Sequence, residues 1–495
     1  MSEHAGLFAP PRHPVLSLAV QAQTTSPVRI QSRFEVLVRH ILHRFFHNEL
    51  LASDDETKRV MQIAAAVALP TLIVSLFLFP AYHAFPPAPL HRPFWSQAGD
   101  HSFYVVYSFV VMGAVTVYEW DLLFPDILDI FVLSVLPIPS LKLFFARVLA
   151  LAIFLLLVQL GTSTLGTLFF PLAAEQHNFL RHLFSHFVAV TTSGIFAATT
   201  FLSIQGILLN AIGEGLFRRI TPLLQGLSIM VLLAILLLCP TVAGSLEALL
   251  TSGSPAIRYF PPFWFLGIYE YLLDGPSTLA IFHALARTGC YALLLSSACT
   301  LLTYPLAYRR RVRQLIEGSA ATSAKGQRTN PIRRLLHATI LRHPSQRAIF
   351  HFITQTVLRG QRQRISLAIF GGLSVARALA HMVTLEVEHG HARIAVLPDG
   401  IRSAIPIMAF FIVAGLRSAL AAPVDRRGSW LFRVLIGRPR AGHLAGAYLW
   451  ISLATFLIGS TTALRLSDRS GTLSSLAVSI ASDSSLPTSS WFSSD

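Results

Sequence analysis

The chain of 495 residues is 53% hydrophobic and only 13% charged, where soluble domains carry about a quarter charged residues, so an ordinary soluble domain is excluded. A net charge of +15 would suit a nucleic-acid binder, but the cations sit between apolar stretches and not on one basic face, which reads as membrane topology with no nucleic-acid partner. Cys239, Cys290 and Cys299 fall inside apolar stretches without metal-knuckle or redox spacing and read as small packing residues.

Apolar runs near twenty residues recur, each long enough to cross about 30 Å of hydrocarbon at 1.5 Å per residue. They predict nine spans, near 61–81, 103–118, 148–168, 184–209, 222–240, 281–306, 365–384, 403–421 and 442–463. The expected fold is all-α: a polytopic transmembrane helical bundle with short amphipathic interfacial helices, since lipid cannot satisfy an open backbone. Placing the N-terminus in the cytoplasm puts 29 of the 39 Lys and Arg in cytoplasmic segments and 7 in external ones. That asymmetry predicts a multi-pass protein with a cytoplasmic N-terminus.

Residues 1–60 are polar and rich in Arg and His, a cytoplasmic region and not a signal peptide. Within it, 30–46 places Ile30, Phe34, Leu37, Ile41 and Phe45 on one stripe, with Ser32, Arg39 and His43 opposite and Arg33 and Arg44 flanking. Such a helix fits two placements: in the membrane plane with cations toward anionic headgroups, or packed on the chain's own cytoplasmic loops.

Residues 61–306 carry six of the spans. After Tyr118 come Glu119, Asp121, Asp126 and Asp129, interleaved with Leu, Ile and Phe up to Leu136. Ile127, Ile130, Phe131 and Ser134 would share a face, which predicts an amphipathic helix on the cytoplasmic surface. Pro137 and Pro139 end it and turn the chain. Ser140 can cap the next helix, and Lys142 and Arg147 hold its start at the interface.

Further along, His182 and His186 lie four apart on one helical face, with Glu175 and His177 before them. The group suits an interfacial polar cap, with metal or haem ligation as the sharper alternative. Residues 251–275, with Pro261, Pro262, Phe263, Trp264 and three tyrosines, read as an external amphipathic element lying on the outer surface.

Residues 307–364 form a basic cytoplasmic linker: YRRRVRQ, a Ser/Ala/Gly-rich stretch over 318–330, then short helices for which Pro331 and Pro344 suit first-turn positions. Three further spans occupy 365–463. The loop bearing Glu386, Glu388, His389 and His391 reads as solvated, or as a weak cation site. Of the span arginines, Arg287 and Arg417 lie near span ends and can snorkel, while Arg377 sits about twelve residues into its span. The Ser-rich tail, 464–495, is expected to be disordered or truncated.

No Gly-Lys dipeptide occurs, so no phosphate-cradling loop of the GxxxxGK[ST] type exists, and HExxH and GxSxG are also missing. No catalytic, cofactor or metal residues are assigned, and the chain reads as a non-enzyme. A secondary carrier is disfavoured because the predicted spans hold almost no carboxylates.

The stretch after span two resembles the permease subunits of ABC-2 type transporters, in a long bacterial variant. The matching residues are Glu119, Leu136-Pro137-Ile138, Ser140, Leu141, and Arg147 in place of the usual lysine. The six spans, the N-terminal amphipathic helix and the YFPPFWF segment are similar too. By this resemblance, Glu119, Asp126, Asp129, Leu136, Pro137, Ser140 and Arg147 belong to a coupling element docked on a separate ABC ATPase. It also implies a homo- or heterodimer of permease chains in the bacterial plasma membrane, working in export. Asp126, Asp129 and the spans after residue 364 depart from that pattern. The alternatives are a membrane-embedded metal- or haem-binding enzyme on His177, His182 and His186, or a secondary carrier.

Overall fold

In the computed structural model, the described residues are 33–46, 56–83, 92–121, 139–174, 178–212, 214–251, 259–318, 341, 343–388, 391–396, 398–421 and 445–453. Among them, eight helices carry segments long and apolar enough to cross a membrane. The spanning helices are α2 (Glu56–Tyr82), α3 (Phe94–Tyr118), α4 (Ser140–Ala173), α5 (Phe179–Ala211) and α6 (Glu214–Gly244), then α9 (Ala280–Gly318), α11 (Gln361–Met382) and α12 (Pro398–Ala421). They match the first eight expected spans in order, an all-α polytopic bundle. The ninth lies mostly outside the described residues, apart from a short helix over 445–453.

The bundle is built around α3, whose apolar window is 72% buried, the largest share of the eight. It packs on α4, α5 and α6, while α2 lies on α4, and α5 on α9. The later helices join through α6: α11 packs on α6 and on α12. Their own core gathers Leu341, Phe350, Ile353, Val357, Leu416 and Trp450. Pro344 stands in the first turn of α10 (Pro344–Arg359), as expected, and Trp450 Nε1 donates to Thr354 Oγ1 on that helix at 2.9 Å. Arg287, Arg377 and Arg417 all face outward from the bundle.

Helix α1 (Arg33–Phe46) buries Leu37, Val38, Ile41 and Phe45. It packs on α4, with Phe45 stacked on Phe154 at 5.1 Å between ring centroids. The amphipathic stripe is therefore consumed by a spanning helix, while Arg39 and His40 stay exposed.

Three elements differ from expectation. The basic run YRRRVRQ is no separate linker, because α9 continues through it to Gly318; Arg and Gln are good helix formers and no breaker intervenes. Between α11 and α12 a hairpin forms, β1 (Val383–Glu388) with β2 (His391–Val396), antiparallel with Val383 opposite Val396 and Glu388 opposite His391. The third is the aromatic segment after α7 (Leu246–Thr251), which forms α8 (Pro261–Asp274). It does not lie on a surface: Phe265, Leu266, Tyr269 and Glu270 are buried, and α8 packs against α3, α5 and α9. Gly267 permits that approach, since a Cβ there would lie 2.6 Å from Leu285 Cβ and 2.7 Å from the Ala286 backbone nitrogen. Gly275, at φ +68°, ends the helix in the left-handed region open to glycine.

Candidate functional site

Two buried polar groups lie at opposite ends of the first bundle. The first forms where α2 finishes and α3 and α5 begin, with α8 closing it. His101 Nδ1 lies 2.7 Å from Glu270 Oε1, with the two side chains only 2% and 1% exposed. The His101 ring stacks on Tyr269 at 4.1 Å. The Tyr269 hydroxyl sits between two imidazoles, 2.8 Å from His182 Nε2 and 3.1 Å from His186 Nδ1. Tyr104 meets the His186 ring edge-on at 4.9 Å and shares a hydrogen bond with Ser75 of α2 at 2.7 Å.

An adjoining clamp ties the end of α2 to α3. Arg92 donates to both oxygens of Asp100, at 2.7 and 2.9 Å, and the Tyr82 hydroxyl donates to the same carboxylate at 2.8 Å. Burial opposes the charge on Arg92, but the hydrogen bonds and charge of Asp100 outweigh it and hold the guanidinium more firmly protonated than usual. Burial, followed by the neighbouring Glu270 charge, pushes the Tyr269 hydroxyl well above the ordinary tyrosine range, so it remains a hydrogen-bond donor.

This arrangement revises the reading of the histidines. His182 and His186 are fully buried, not an interfacial cap, and the partner they share is Tyr269 of α8. His177 and Glu175 lie outside the described residues. Among the described residues, no group of three or more His, Cys, Asp or Glu is arranged to hold a metal ion. Sequence reasoning missed His101, Tyr269 and Glu270. The available signal was one carboxylate inside the otherwise apolar and aromatic FWFLGIYEYLL.

The second group lies where α3 finishes and α4 begins. Glu119 opens a 3-10 turn, Glu119–Asp121, after α3 and is buried, as is Arg147 two turns into α4. The carbonyls at the end of α3 are capped from two neighbours. Gln205 of α5 donates to the Trp120 carbonyl at 2.8 Å. Gln225 of α6 donates to those of Val117 and Tyr118 at 2.9 and 3.2 Å. Phe144 of α4 packs on Tyr304 and Tyr308 of α9 at the same end. Ser140 does not cap α4: Pro139 takes the cap position without a side-chain hydrogen bond, and Ser140 is the first helical residue. Asp126, Asp129, Leu136 and Pro137 lie outside the described residues.

Comparison of the chain with protein-family models, with curated proteins and with solved structures finds no match.

Proposed function

We propose that this chain is the membrane-embedded subunit of an ABC-2-type transporter, working in export from a bacterial plasma membrane and energised by a separate ATPase chain. The observation that carries the reading is how the ends of α3 and α4 are anchored. Segment 122–138 runs between the end of α3, fixed to α5 and α6 through Gln205 and Gln225, and the start of α4, which bears buried Arg147 and the α1 contact. A force applied to that segment by a docked ATPase would act on the central helix and on its neighbour together. The carboxylates Asp126 and Asp129 supply the charge for docking, Pro137 the turn, and Ser140 the start of the second lever arm. Two such subunits, identical or related, would move substrate between them, with the N-terminus on the ATPase side.

The test is co-purification of ATP hydrolysis with the tagged chain from its native membranes. Asp126→Lys with Asp129→Lys puts cations against a surface suited to carboxylates, where like-charge juxtaposition costs several kcal/mol. The variant should lose the hydrolysis while membrane levels stay normal. A wild-type chain that brings down no ATPase, or a double variant that keeps all of it, overturns the proposal. One observation favours a second reading, a proton-driven carrier: Glu270 is a buried carboxylate paired with a histidine. That reading requires transport without ATP.

A further inference from the structure

We propose that His101 and Glu270, framed by His182, His186 and Tyr269, form a proton-binding site whose occupancy sets whether α8 stays seated between α3, α5 and α9. The inference does not depend on the transporter reading.

The side-chain bonds between α8 and α3 and α5 pass through few atoms. Glu270 reaches His101 of α3, and Tyr269 reaches His182 and His186 of α5. Arg181 of α5 adds one donation to the Leu272 carbonyl at 2.9 Å. The rest of the contact is apolar packing, led by Phe265, Leu266 and Ile268. Two adjacent residues, both able to gain or hold a proton, therefore carry the polar attachment of the whole helix.

The bonding of Tyr269 restricts the protons further. Its hydroxyl can donate to one imidazole and accept from the other, not donate to both. In either tautomer arrangement one outer ring nitrogen is an N–H and the other a bare lone pair. Among the described residues, those outer atoms, His182 Nδ1 and His186 Nε2, have no hydrogen-bond partner. The histidine pair thus offers no acceptor network that could share an added charge.

One proton between His101 and Glu270 makes a close buried pair. A second proton turns the carboxylate into a neutral acid and leaves an imidazolium 5.5 Å from the His182 ring, centroid to centroid. The surrounding ionisable groups do not offset it. Asp100 is engaged by Arg92 and Tyr82. Arg181 is a further cation, and burial already pushes Asp274 toward its neutral form. Tyr82 on α2, Tyr104 on α3, Tyr271 on α8 and His283, which packs on Tyr271 from α9, complete the set. An uncompensated charge in a low-dielectric site is relieved by admitting water, and the element that can yield is α8.

Amide hydrogen exchange on the purified full chain, corrected for the intrinsic pH dependence of exchange, tests this. Protection across 261–274 should fall about tenfold between roughly pH 8 and 5.5, the interval in which histidine changes charge, while 104–112 of α3 keeps its protection. Glu270→Gln keeps the shape and fixes the neutral form, so at the higher pH it should already match the wild type at the lower, with no further step. Should that variant fail to fold, His101→Glu with Glu270→His re-forms the pair in reverse and should restore the step. Equal wild-type protection at both pH values overturns the inference. So does a wild-type step retained in Glu270→Gln, or a folded reverse pair that shows none.

Discussion

Where α3 begins, ionisable side chains meet one another: His101 with Glu270, Asp100 with Arg92, and Tyr269 between two histidines. Where it finishes, neutral amides meet backbone: Gln205 and Gln225 take up the carbonyls that a helix C-terminus leaves without intrahelical donors. Both solutions satisfy polar groups that lipid cannot. They differ in what disturbs them. A joint of titratable groups responds to a proton, whereas a joint of amides and carbonyls is indifferent to pH and yields only to force. The first end suits a sensor and the second a rigid attachment for a lever.

The largest effect that would sharpen this contrast comes from breaking the buried pair on one side. Glu270→Leu leaves His101 buried without its partner, and removing one member of a buried ion pair costs about 3–5 kcal/mol. Replacing both, His101→Leu with Glu270→Leu, should be milder than the single change, because apolar substitution of both partners is often close to neutral. Thermal unfolding in detergent reads the order directly. A double variant less stable than Glu270→Leu would mean that the pair is not a joint of mutually dependent charges.

A smaller effect is expected at the other end. Gln225→Leu withdraws one neutral amide from the Val117 and Tyr118 carbonyls, a loss of about 1–2 kcal/mol. That loss should be the same at pH 8 and at about pH 5.5, since neither an amide nor a carbonyl titrates in the interval where histidine does. Thermal unfolding at the two pH values checks it. A Gln225→Leu defect that grows on acidification would erase the distinction between the ends.

How much of this could be read from sequence depended on what each signal measures. Hydropathy reports average burial in lipid, and it located eight spans because each is a long apolar run. It was blind to α8, whose aromatic residues suit a headgroup interface as well as a protein interior. What decides between them is Gly267, which lets α8 reach α9, and that fit exists only in three dimensions. His101 was lost for a related reason, because a polar residue at the start of α3 falls outside an apolar window although it is buried in the fold. The hairpin did leave a trace, since Val383, Leu385 and Val387 alternate with Thr384, Glu386 and Glu388 before a His-Gly pair. The segment was taken as a loop because its neighbours were spans. Glu119 and Arg147 were singled out by the motif, but nothing in their spacing foretold that both would be buried.

The smallest expected effect concerns α1, which lies at the amide end and tests whether that end also meets the lipid surface. Its apolar stripe is spent on α4, so packing alone would hold it without any membrane contact. Arg39 and His40 stay on the exposed side. In neutral detergent Arg39→Ala should therefore change stability by less than about 0.5 kcal/mol, as for other surface substitutions. With anionic lipid present, a cation near the surface contributes about 1 kcal/mol. If α1 lies at the headgroup level, phosphatidylglycerol should raise the unfolding temperature of the wild type slightly more than that of Arg39→Ala, and added salt should erase the difference. Equal shifts in the two proteins would place the exposed face of α1 away from the lipid and leave α4 as its sole anchor.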